Sequence, residues 1–105
     1  MGKNRDRESL IRLIVNTIVH KIVLKNTNKP ESKHFLSAEI IEYKGQTEKM
    51  AEQHHWNEND KGYIREKTLK KIKEKMENKY SDVDFIIKEV KRLVDIEMDE
   101  ILVII

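Results

Sequence analysis

Glu52 and His55 stand three residues apart, the Glu-x-x-His step by which helices of carboxylate-bridged di-iron bundles offer two ligands to one metal, and Glu48 lies one turn earlier. That chemistry needs the motif twice and two further glutamates. The chain carries it once, so only a symmetric dimer would complete the set. His54 and His55 point in different directions on a helix, which works against joint ligation. Asn57, Asn59 and Gly62 set side-chain oxygens at alternate positions ahead of a glycine, as a calcium loop does. Lys61 would then hold the fifth ligand position, and Thr68 the twelfth, where a bidentate glutamate is required. The expectation from both patterns is a solvated helix end and a surface loop, with no metal and no cofactor.

His20 lies among apolar residues with no Ser, Asp or Glu at helical spacing to orient or use it, so it reads as a core or edge histidine rather than a general base. Asp95, Glu97, Asp99 and Glu100 form a carboxylate cluster near the end of the chain, where the negative helix terminus calls for nearby cations. Trp56 reads as a lid over one end of the fold, since an isolated aromatic side chain ordinarily packs.

The strongest signal is a row of lysines. Lys67, Lys71, Lys75 and Lys79 recur at four-residue intervals with Lys70 beside them, and residues 61–80 carry eight basic and three acidic side chains. Neighbouring like charges at this spacing repel by a few tenths of a kcal/mol per pair, so the row calls for a compensating charge. Two compensations are open. Phosphates of a nucleic-acid backbone would supply one, through counterion release and without base readout. The segment 81–105, with seven acidic and three basic residues, would supply the other from within the chain, and the sequence favours this intramolecular balance. No zinc finger, RNP-like aromatic motif or Arg- and Asn-rich recognition helix accompanies the row.

These residues need helices to position them. The stretch Leu10 to Leu24 has ten Leu, Ile or Val among its fifteen residues, at three- and four-residue steps that line a helix. Its many β-branched residues would suit a strand, but alternation fails at Leu13, Ile14 and Val15. The patterning predicts a first helix from about Asp6 to Lys25, preceded by a disordered polar segment 1–6. A second is expected from about Lys29 to His54, with a capping-box spacing at Asn28 and Glu31, Pro30 in its first turn, and Gly45 as a bend or break. It carries Phe35, Leu36, Ile40, Tyr43, Thr47, Met50, Ala51 and His54 on its apolar stripe. Residues 55–62 read as a surface loop, and a third helix runs from about Tyr63 to Asn78. A fourth begins at Ser81 and buries Val83, Ile86, Ile87, Val90, Leu93, Val94, Met98, Ile101 and Ile105.

The fold class expected is all-α: one domain over 1–105, a small bundle of about four amphipathic helices that dimerisation could complete. With 38% apolar and 38% charged residues in 105, the core is small, and the apolar ending ILVII asks for a docking partner. The absence of cysteine excludes disulfides, thiolate chemistry and sulfur-ligated zinc. The first apolar run is interrupted by Asn16, His20 and Lys21 and is too short for a bilayer span, and Asp6 stands where a myristoylation pattern has Ser or Thr. The reading is a non-enzymatic, cytoplasmic interaction protein or subunit with no membrane partner, self-associating as a homodimer. A nucleic-acid-binding accessory protein using Lys67, Lys70, Lys71, Lys75 and Lys79 is the alternative.

Overall fold

A computed structural model describes the backbone of residues 2–26, 29–79 and 87–102, and the side chains of residues 3–25, 29–78 and 88–100. Four helices make up the fold: α1 (Gly2–Asn26), α2 (Pro30–Glu52), α3 (Glu58–Lys79) and α4 (Ile87–Leu102), with no strand among the described residues. The architecture is an all-α bundle with dimensions of 41 × 24 × 22 Å.

α1 is the axis of the molecule. Leu10, Ile11, Leu13, Ile14, Val15, Thr17, Ile18, Val19 and Ile22 are all buried, so apolar side chains cover most of its circumference rather than one stripe. A helix of that kind must be enclosed. α1 packs against each of the other three helices, whereas α2 and α3 make no backbone approach to one another. α2 runs back along α1, bringing His54 to Asp6 and Tyr43 to His20. α3 runs in the direction of α1, with Tyr63 at Glu8 and Lys75 at Asn16. Each buried Leu or Ile contributes about 1.5–3 kcal/mol, which makes α1 the main source of stabilisation.

The helix boundaries differ from expectation at three places. α1 begins at Gly2, so residues 2–6 are helical. Charged contacts rather than apolar ones tie down this first turn, through Lys3 to Asp60 at 2.8 Å and Asp6 to His54 at 2.6 Å. α2 starts with Lys29 as its N-cap, whose side chain makes no cap bond, and Pro30 in its first turn. The expected cap Asn28 lies outside the described residues. The helix continues through Gly45 without a break. α3 begins at Glu58 rather than Tyr63, because Asn57 and Asp60 cap it reciprocally: the Asp60 amide donates to Asn57 Oδ1 at 2.8 Å and the Asn57 amide donates to Asp60 Oδ2 at 3.2 Å. The segment expected as a loop is thus a short link plus a capped first turn, and Gly62 is helical.

Trp56 closes this end. It is 2% exposed, and its indole N–H donates to the Ala51 carbonyl at 2.8 Å, satisfying a group left open where α2 stops. On α2, Thr47 and Ala51 are buried, but Phe35 is 60% exposed, at the margin of the helix rather than in the core. Val90, Val94 and Met98 line the inner face of α4 as expected. The junction at Tyr80 and Ser81, the side chains of Val83, Ile86, Ile87 and Ile101, and the terminal residue Ile105 lie outside the described residues. No described helix is long and apolar enough to cross a membrane.

Candidate functional site: a basic groove between α1 and α3

Among the described residues, the carboxylates of α4 that form ion pairs find their cations elsewhere than on the lysine row. Glu97 pairs with Lys21, Glu89 with Lys25, Glu100 with Lys44, and Asp95 with Arg65 at 3.2 Å. Glu97, one of the carboxylate cluster expected to balance the basic third helix, is 1% exposed, because it falls on the inner stripe of α4 between Val94 and Met98. Lys21, which interrupts the apolar run of α1, is its counter-ion; the second carboxylate oxygen of Glu97 has no hydrogen-bond partner among the described residues. The Glu100 carboxyl is held below its ordinary range by the hydrogen bond from Lys44, whose own ammonium is pushed upward by the same contact.

Helix geometry explains why the row does not act as one unit. Four residues advance about 400°, so each successive lysine lies about 40° further round α3. Lys67 consequently sits over the Tyr63 ring, at 5.7 Å from its centroid, while Lys70 is exposed on the outer face. Lys71 and Lys75 turn towards α1 and line an open groove of about 820 Å³ together with Arg5, Arg12, Glu8 and Glu74. Only the backbone of Lys79 is described. Among the described residues Lys70 and Lys71 form no ion pair, and neither do Arg5 and Arg12. Lys75 donates to Asn16 Oδ1 at 2.6 Å, which positions its ammonium against α1.

One wall of this groove belongs to α1 and escaped the sequence reading. Arg5, Glu8, Ser9, Arg12 and Asn16 recur at three- and four-residue steps, a narrow polar stripe on an otherwise buried helix, and that period was the available signal. Among the described residues the groove therefore has two cations on each wall, amide and hydroxyl groups from Ser9, Asn16 and Asn78, and no aromatic lining residue. Glu8 is partly engaged: it accepts a hydrogen bond from the Tyr63 hydroxyl at 3.0 Å, and this bond, more than burial, raises the Tyr63 pKa.

The histidines do not assemble into a ligand set. His20 is half-buried and donates from Nδ1 to the Asn16 carbonyl at 2.6 Å. His54 donates to Asp6 and stands edge-on to Trp56, while Glu48, Glu52 and His55 are exposed. No group of three or more potential metal ligands converges among the described residues. Asn57 and Asp60 are committed to the α3 cap, and Asp60 further receives Lys3 and Arg7, so the Asn57 to Gly62 segment has no free calcium-type loop. No family model matches the chain, and no curated protein or solved structure is significantly similar to it.

Proposed function

We propose that the protein is a non-enzymatic helical interaction protein whose working surface is the α1–α3 groove and whose partner is anionic. The observation that carries this reading is the division of charge. Glu89, Asp95, Glu97 and Glu100 of α4 are paired with Lys25, Arg65, Lys21 and Lys44, while Arg5, Arg12, Lys71 and Lys75 converge on one open groove. Its lining carries four cations against the two carboxylates Glu8 and Glu74, a net positive charge that an anion seated in the groove complements. Titration with inorganic polyphosphate at low salt tests the reading. Saturable binding that is lost when Arg12 and Lys71 are both changed to Gln supports it; no binding at low salt overturns it.

Pairing of two copies is a second reading, favoured by Phe35, which stands 60% exposed beside a shallow depression lined by Val23 and Leu36. Sedimentation equilibrium at micromolar concentration tests it, and a monomer mass removes it.

A further inference from the structure

We infer that the anion is the sugar–phosphate backbone of a double-stranded nucleic acid, gripped from both sides and bound without base readout; this rests on the groove being the working surface. Three features of the groove point to it. Lys71 and Lys75 are spaced by about 6 Å along α3, and Arg5 and Arg12 by about 10 Å along α1, so charge is distributed along the groove rather than focused on one point as a single small anion would need. Between the cations lie Ser9, Asn16 and Asn78, whose hydroxyl and amide groups suit phosphate and sugar oxygens, the positioning contacts of nucleic-acid interfaces. Among the described residues the lining holds no aromatic side chain. The described lining thus offers cations and polar groups rather than stacking platforms for unpaired bases or the aromatic anchors on which peptide interfaces depend. The duplex backbone presents neither requirement.

Glu74 and Glu8 line the same groove and oppose phosphate, which sets a limit on affinity and supplies a test with the opposite sign. Glu74→Gln should tighten binding, and Arg12→Gln and Lys71→Gln should weaken it. All three residues are exposed, so the variants should retain the helical circular dichroism of the parent.

The experiment is a fluorescence titration of a short random-sequence DNA duplex across a salt series, with the matching single strand, poly-glutamate and polyphosphate in parallel. If all four cations reach phosphates, the logarithm of affinity should fall with the logarithm of salt at a slope of about −3.6, and Arg12→Gln and Lys71→Gln should each reduce that slope by about 1. Lys91→Gln and Arg92→Gln on exposed positions of α4 make the same change in net charge outside the groove and should leave the slope unchanged. Tighter binding of the single strand or of poly-glutamate than of duplex overturns the inference while leaving the groove as the working surface. An equal effect of the α4 variants also overturns it, by showing attraction to net charge alone. Failure of every polyanion to bind removes both the inference and the function on which it rests.

Discussion

α1 meets two charged helices, and it meets them differently. Towards α4 it offers Lys21 and Lys25, each matched by a carboxylate, and Glu97 is carried into the core by the pairing. Towards α3 it offers Arg5 and Arg12, which face Lys71 and Lys75 across open solvent. The first interface uses charge to hold helices together, with Glu97 buried and the Lys25–Glu89 pair at the surface. In the second, Lys75 bonds to Asn16 of α1 whereas Arg5, Arg12 and Lys71 form no ion pair among the described residues, and the buried row Ile64, Thr68, Ile72 and Met76 runs beside the lysines. A charged residue that serves the fold should therefore be separable by measurement from one that serves a partner.

The largest expected effect is on the paired side. Lys21→Met leaves Glu97 buried without its cation and should destabilise the protein by about 3 kcal/mol, the lower end for a broken buried pair because Lys21 is itself partly exposed. Adding Glu97→Leu should restore most of that loss in a urea titration. If the single variant is as stable as the parent, the pairing is not structural and the contrast between the two sides disappears.

Acid should act on the same class of contact. Asp60 is held below the ordinary aspartate range, chiefly by the hydrogen bond from Lys3, against burial, which acts the other way. Its stabilising contribution is complete above the unfolded value of about 3.9 and is lost as pH falls through the lower folded value; Glu100, lowered by Lys44, adds a loss of the same sign. Thermal midpoints should accordingly drop below about pH 4. Asp60→Asn, which can still accept the α3 cap bond, should flatten that drop. An unchanged pH profile in the variant would show that Lys3 and Arg7 do not fasten the start of α1.

Smaller gains should come from the two helical glycines, which belong to neither side. A methyl group added at Gly45 or Gly62 meets nothing within 4 Å, and both positions have ordinary helical backbone. Each Gly→Ala change should raise stability by roughly 0.5–1 kcal/mol. The smallest effect is expected in the groove. Lys71→Gln should alter stability by less than about 0.5 kcal/mol, and in the stabilising direction if mutual repulsion matters. A loss above about 1 kcal/mol would place Lys71 with Lys21 among the residues that hold the fold.

The inward faces were legible because burial follows helical period. Leu10 to Ile22, Ile64 to Met76 and Val90 to Met98 all fall where their spacing puts them. The start of α3 was missed because Asn-Glu-Asn-Asp has the composition of a turn, whereas the Asn57 to Asp60 spacing is that of a capping pair. Glu97 was misplaced because its charge was weighed and its position between Val94 and Met98 was not. The groove was half legible. The row on α3 shows in the sequence, but its partition follows from the 40° drift, and the matching wall from a polar stripe hidden in the most apolar helix of the chain. Which carboxylates meet which lysines is a property of the helix arrangement, and no local pattern encodes it.

The central place of α1 also has a kinetic side. The helix that every other one covers is the first to be synthesised, and its cover is complete only when α4 has followed, some 75 residues later. At about 5–20 residues per second the most apolar segment of the chain waits roughly 4–15 s for its last neighbour. Lys3, Arg5 and Arg7 precede the Leu10–Leu24 segment and Arg12 interrupts it, charges of the kind that oppose association of exposed apolar segments. The arginines of the groove thus have a task before any groove exists.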